Sequence, residues 1–272
     1  MILRKKSKGK EVKILQELLK KAGFNPGVPD GDFGSRTEIA VINFQKSHEL
    51  LPDGVVGPKT LAVLNKVTNG NDLELLPDKP ITSKFTVKVV QQIFFDAPKA
   101  NVEKFLPFVL KALTDADLAE RNMILMALAT IRAETAGFIP IGEFKSKYNT
   151  SPGGHPFDLY DNRADLGNKG KPDGATFKGR GFIQLTGRSN YKQHGAAIGL
   201  GNQLIDNPEL ANEPTIAAKL LASFIKNKEQ AIKVALLNNN LKEARRLVNG
   251  GSHGLTNFTN AFRAGEKLVP EP

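Results

Sequence analysis

The segment Phe177-Lys-Gly-Arg-Gly-Phe-Ile-Gln-Leu-Thr-Gly-Arg-Ser-Asn-Tyr191 sets three glycines among Arg180, Gln184, Thr186 and Asn190. Glycine lets backbone approach a ligand closely, and the neutral amides and hydroxyl supply donors and acceptors that suit sugar hydroxyls. Packing alone does not call for so specific a pattern, and the reading is a carbohydrate-cleaving groove. Such a groove needs carboxyl groups. Upstream lies Arg132-Ala-Glu134-Thr-Ala-Gly-Phe-Ile-Pro-Ile-Gly-Glu143, and downstream come Asn207-Pro-Glu-Leu210 and Arg246-Leu-Val-Asn249-Gly-Gly251.

Helical periodicity surrounds these segments. Val89, Val90, Ile93 and Phe94 form one stripe, and Val102, Phe105, Leu106, Val109, Leu110 and Leu113 form a second. Thr114-Asp-Ala-Asp117 is similar to a capping box and predicts a third helix running through Leu118, Leu125, Leu128 and Ile131 to Glu134, with Gly137 as its terminator. Residues 136–180 are rich in Gly, Pro, Asn and Asp, so loops are expected there, with a small hairpin at Phe182-Ile-Gln-Leu-Thr186. Helices return at about 191–200, 214–228 and 241–248. At the end of its helix Glu134 meets partial negative charge, and Ile131 and Phe138 add desolvation; both favour the protonated form that a general acid needs.

Taken in order, these motifs resemble the family 19 glycoside hydrolases, chitinase-like enzymes with a lysozyme-related helical fold, over about the last two thirds of the chain. The resemblance implies that Glu134 protonates the glycosidic oxygen, although Ala133 stands where relatives often carry His. It implies that Glu143 activates water on the opposite face of the sugar, since its spacing from Glu134 matches the catalytic pair of bacterial members. Asp161, in Leu159-Tyr-Asp-Asn-Arg163, is the alternative second carboxyl. By the same resemblance Thr186 helps to hold the attacking water, and Gln184, Asn190 and Asn249 hydrogen-bond the sugar. Tyr148 and Tyr191 are candidate groove aromatics, because a phenol ring offers a sugar an apolar face and its hydroxyl a partner; a core position is the alternative for each. Arg180 and Arg246 are read as structural anchors paired to carboxylates.

The N-terminal part carries an internal repeat: Asp30-Gly-Asp-Phe-Gly34-Ser-Arg-Thr37 recurs 23 residues later as Asp53-Gly-Val-Val-Gly57-Pro-Lys-Thr60. Each copy reads as a turn followed by a helix start at Ser35 or Pro58. With the stripe Val12, Leu15, Leu18, Leu19 before it, this predicts a three-helix module over residues 1–66. With Lys10-Glu-Val-Lys-Ile-Leu-Gln-Glu-Leu-Leu19 and Ala40-Val-Ile-Asn-Phe-Gln45, the pattern is similar to the peptidoglycan-binding module often joined to cell-wall hydrolases. Residues 67–84, with two prolines and no sustained period, read as a linker. Residues 85–272 are the expected catalytic domain.

The chain has 272 residues, a formal net charge of +10 shared equally between residues 1–66 and the rest, no cysteine and four histidines without ligand spacing. A disulfide framework and a thiolate metal site are excluded, and neither a metal nor any other cofactor is expected. The positive field suits a polyanion such as the bacterial wall. No nucleic-acid motif, tryptophan or arginine-rich aromatic stripe is present, so no specific nucleic-acid partner is expected. No apolar run is long enough for membrane insertion, and no secretory signal opens the sequence. The resulting expectation is a mainly α protein: a small three-helix wall-binding domain, then a lysozyme-like α+β catalytic domain with a small β-hairpin. The combination resembles a bacteriophage endolysin, a monomer made in the host cytoplasm that cuts β-1,4 bonds of peptidoglycan glycan strands once the membrane is permeabilised. A chitinase acting on N-acetylglucosamine polymer and a non-enzymatic wall-binding protein are the alternatives.

Overall fold

Two buried glutamines explain the N-terminal repeat. In the computed structural model, which describes residues 3–68, 81–251 and 253–270, Gln16 Nε2 donates to Asp30 Oδ1, the Asp32 carbonyl and Thr37 Oγ1 at 2.9–3.1 Å, while its Oε1 accepts from Gly31 N. Gln45 repeats the arrangement with Asp53 Oδ1, the Val55 carbonyl, Thr60 Oγ1 and Gly54 N. Each amide thus satisfies a turn that would otherwise bury unpaired backbone. The turns link α1 (Lys10–Lys21), α2 (Ser35–Ser47) and α3 (Pro58–Thr68). Their apolar faces, including Leu15, Leu19, Phe44 and Leu64, close a separate core with Phe33 of the first turn. The third helix reaches Thr68, two residues past the expected edge of the module.

The chain divides into compact units of residues 1–79 and 80–272. Of the expected linker, Val67 and Thr68 finish α3 and residues 81–84 form a short 3-10 turn; residues 69–80 lie outside the described residues.

The second unit is built around α6 (Arg121–Glu134), in which every residue from Met123 to Ile131 is buried. A helix apolar on all sides belongs in a core, and neighbours surround this one. Before it come α4 (Val87–Ile93) and α5 (Lys99–Asp115). After it come two single-turn helices, α7 (Asp158–Asp161) and α8 (Asp173–Thr176), then α9 (Arg188–Ala197) and α10 (Gln203–Asp206). The chain finishes with α11 (Pro214–Lys226), α12 (Glu229–Leu237), α13 (Leu241–Asn249) and α14 (Leu255–Leu268). The last packs lengthwise on α6, and a methyl group at Gly265 would overlap the side chain of Leu125. No helix among the described residues is long and apolar enough to cross a membrane.

Three local expectations are corrected. Thr114–Asp117 does not open a helix: it ends α5, where the Thr114 hydroxyl turns back to the Leu110 carbonyl and Asp117 adopts a left-handed φ. The helix leading to Glu134 starts at Arg121 behind Glu120, without a side-chain cap. Past Glu134 the left-handed position falls on Ala136, not Gly137, because Arg132 Nη1 holds the Ala136 carbonyl while Asn101 Nδ2 holds that of Gly137. The hairpin is present in its minimal form, one antiparallel bridge between Arg180 and Leu185.

The three tyrosines, Tyr148, Tyr160 and Tyr191, all belong to the second unit, and the chain has no tryptophan. Gln45→Ala, which strips four hydrogen bonds from a buried amide, is expected to destabilise the first unit by at least about 2 kcal/mol. In urea titrations an early helical transition appears by far-ultraviolet circular dichroism, while the tyrosine fluorescence transition stays in place.

Candidate active site

Segment 141–143 lies against 179–181: Glu143 N donates to the Gly179 carbonyl at 2.7 Å and Gly181 N to the Ile141 carbonyl at 3.1 Å. Gln184, held in a left-handed conformation, fastens the pair with Nε2 bonds to Ile141 O and Gly181 O. The Glu143 carboxylate is then fixed by three donors. Oε1 accepts from Asn149 Nδ2 and Tyr160 OH, each at 2.9 Å, and Oε2 from Gly179 N at 3.2 Å. Glycine is required at 179, because a Cβ would stand 2.8 Å from Gln184 Oε1, 3.1 Å from Glu143 Oε2 and 3.3 Å from Thr186 Oγ1. Those three side chains converge over bare backbone. The Thr186 hydroxyl donates to the Gln184 carbonyl at 2.8 Å, and Asn190 Nδ2 to the Thr186 carbonyl at 2.8 Å.

A second cluster sits at the end of α6. Glu134 Oε1 accepts from Arg245 Nη2 at 2.7 Å, and that arginine is entirely buried. Arg245 also donates through Nε and Nη2 to the His253 carbonyl, to which Asn249 Nδ2 donates at 3.2 Å. The apolar setting expected around Glu134 therefore gives way to a charged one. Phe138 is buried in the core against Phe94 and Phe182.

Other candidates take structural places. Tyr191 is fully buried, donates to the Lys178 carbonyl and receives Arg180 Nη1, so its reading as a sugar contact is corrected to a core tyrosine. Tyr148 is 78% exposed. Asp161 is buried, with Oδ2 paired to His155 Nε2 at 2.9 Å and Oδ1 accepting from Gly174 N at 2.8 Å. It ties two loops together. Arg180 pairs with Glu209, whose carboxyl the arginine's hydrogen bonds hold below the usual range, and Arg246 pairs with Glu243 on the surface. Among the described residues no group of His, Cys, Asp or Glu could hold a metal ion.

Arg245, Asn149 and Tyr160 were missed by sequence reasoning. One signal was available: Leu241, Ala244, Arg245 and Val248 form the buried stripe of α13, and an arginine on an apolar face demands a buried carboxylate. Asn149 lies in irregular backbone and Tyr160 in the single-turn helix α7, too short to show a period.

Residues 93–237, just over half the chain, match the class I chitinase family model of glycoside hydrolase family 19. The chain belongs to this family. Residues 8–64 match a peptidoglycan binding domain, so this member of the family joins a glycoside hydrolase domain to a peptidoglycan-binding domain. It is 29% identical over 99 residues to the N-acetylmuramoyl-L-alanine amidase CwlM of Mycobacterium tuberculosis, an alignment covering 35% of this chain and 24% of the relative. The chain thus aligns with about a quarter of the length of that curated relative. Among solved structures it is similar to chitinase C from Streptomyces griseus HUT6037, with a TM-score of 0.49, 22% identity and coverage of 72% and 79%. A Burkholderia AP3 phage endolysin is covered end to end, with a TM-score of 0.29 and 18% identity.

Burial, then the adjacent Glu143 charge, pushes the Tyr160 phenol up to about 12; burial does the same to Tyr191, also to about 12. Both folded values lie above the unfolded value of about 10. The stability they contribute is therefore complete below pH 10 and is lost as the pH rises towards 12. Absorbance titration of the native protein should leave these two phenols un-ionised until about pH 12, whereas in urea both titrate near 10.

Proposed function

We propose that this chain is an endolysin-type enzyme that hydrolyses the β-1,4 glycosidic bonds of peptidoglycan with inversion, using Glu134 as acid and Glu143 as base. The reading is carried by one observation: a carboxylate held by three neutral donors beside Thr186 and Gly179, in a chain that also has a wall-binding domain. Oε1 of Glu143 is saturated by Asn149 and Tyr160. Oε2 accepts one backbone N–H and keeps a lone pair for the proton of a water molecule. Because the Thr186 hydroxyl hydrogen is committed to Gln184 O, its oxygen is left to accept from the same water. That pair orients a nucleophile without a covalent intermediate, as inversion requires when the carboxyls are about 6.5–9.5 Å apart.

On the other side of the scissile bond, Arg245 occupies Oε1 of Glu134, so Oε2 is the atom that carries a proton to the leaving oxygen. Asp161 is set aside as the base because it is buried, whereas Glu143, though also hydrogen-bonded through both oxygens, is partly exposed. In this reading the N-terminal unit holds the enzyme on the insoluble wall and raises the local concentration of its substrate.

Clearing of permeabilised Gram-negative cells, with chitin as a control substrate, tests the proposal. The parent should clear cells faster than it releases sugar from chitin; the reverse order would make the chain a chitinase. Glu134→Gln and Glu143→Gln are each expected to slow clearing by about 10²–10⁴-fold. Because Glu134→Gln removes the charge that pairs with buried Arg245, both variants are assayed below their own melting temperatures, with folding checked by circular dichroism. Activity within threefold of the parent in either variant rejects that assignment.

Stereochemistry is a separate check. Proton NMR of the first-formed product should show the α-anomer from the β-linked strand, and an initial β-anomer would reject inversion.

A further inference from the structure

The loop that follows Glu143 is built to present side chains outward. Asn149 is wholly buried and acts as its hub. Its Nδ2 donates to Glu143 Oε1 and to the Phe144 carbonyl, both at 2.9 Å, and its Oδ1 accepts from Ser146 N at 2.9 Å and from the Thr150 hydroxyl. The amide that positions the carboxylate therefore also fixes the loop. With the backbone tied inward, all five side chains from Phe144 to Tyr148 are exposed, and Phe144 and Tyr148 are 75% and 78% exposed.

Together on one anchored loop beside the candidate carboxylate, these two aromatic groups offer apolar faces to a ligand. Between them stand Lys145 and Lys147, neither of which has a carboxylate partner among the described residues. Lys147 Nζ lies 5.2 Å from the centre of the Tyr148 ring. Lys178 adds a third cation on the other side of Glu143, its Nζ 3.7 Å from where a Cβ of Gly142 would be and 4.9 Å from the Phe157 ring.

We propose that residues 144–148 form a recognition lip that takes the carboxylates of the peptide stems on the glycan strand and so selects stem-bearing strands over bare amino-sugar polymer. This rests on the wall-hydrolase reading given above. The aromatic pair offers apolar faces to sugar rings, which bare and substituted strands share. Lys145 and Lys147 add attraction only where the substrate is anionic, and the pinned loop has little conformational freedom to lose on binding. Bare polymer of N-acetylglucosamine carries no carboxylate and gains nothing from the two cations. The lip is thus a discriminating element, distinct from the general positive field of the protein.

The test uses the full chain and two soluble substrates: glycan strands with their stem peptides, and the same strands after an amidase has removed them. The measured quantity is the ratio of kcat/KM for the two. The parent should favour stem-bearing strands, and Lys145→Gln with Lys147→Gln should lower the ratio about tenfold. Lys145→Arg with Lys147→Arg should keep it. Lys228→Gln with Lys267→Gln removes the same charge near the Arg121 end of α6, where Lys233 pairs with Glu120 and Arg121 holds the Glu266 carbonyl, and should also keep it. Added salt should lower the parent's ratio towards that of the glutamine variant.

Partial loss of folded protein lowers both rates together and leaves the ratio where it was, so misfolding cannot imitate the expected result. An unchanged ratio in the glutamine variant, or an equal fall in the Lys228 and Lys267 control, overturns the lip while the wall reading stands. A parent that cuts neither strand but releases sugar from chitin overturns the wall reading and the lip with it.

Discussion

The reciprocal contact between Glu143 and Gly179 is the constraint on which the candidate site depends. Main chain bonds in one direction, from Glu143 N to Gly179 O, and the carboxylate accepts from Gly179 N in the other. A carboxylate anchored to the backbone it also pairs with has little rotameric freedom, and positioning of this kind is what water activation requires. Everything nearby serves that contact. Gln184 clamps the two segments, Asn149 and Tyr160 fill the remaining side of the carboxylate, and Tyr191 and Arg180 hold the Lys178 and Thr176 carbonyls.

The second carboxyl depends on a different economy. Glu134 stands where α6 leaves the core, and its partner Arg245 is wholly buried. Burying a guanidinium is costly unless its donors are satisfied, and removing one member of such a pair leaves an uncompensated charge. Here Nε and Nη2 are taken by His253 O and Glu134, which binds the turn after α13 to the end of α6. Nη1 has no hydrogen-bond partner among the described residues. The pair links the end of α6 to α13 at the place where the proposed acid works.

In the wall-binding unit the same physics appears twice in simpler form. Gln16 and Gln45 each replace a missing strand partner with one amide, and so two short turns are made rigid without a sheet. This explains why both copies keep Asp and Thr, whose side-chain oxygens the amide needs, and Gly31 and Gly54, whose φ of 78° and 72° suits glycine. Asp32 and Val55 contribute a carbonyl, which any residue can supply.

Sequence alone determined the mainly helical architecture, the repeat, the family resemblance and the identity of the candidate carboxyls, because apolar periodicity and glycine-dense motifs are local properties of the chain. It also pointed to Gln184 and Thr186, which the fold brings together with Glu143 at Gly179. Local patterning misled at Thr114–Asp117, where a capping signature lies at a helix end, and at Gly137, where long-range bonds from Arg132 and Asn101 decide the backbone. Burial was the other matter it could not decide. Tyr148 and Tyr191 look alike in sequence, yet one is open to solvent and the other is sealed beneath Arg180. Asp161 and Glu143 both fall in the Gly-, Pro- and Asn-rich stretch and both have both oxygens hydrogen-bonded, yet only Asp161 is buried. Those outcomes belong to tertiary structure, since they depend on which distant segments cover a side chain and which donors they bring, and no spacing along the chain encodes that.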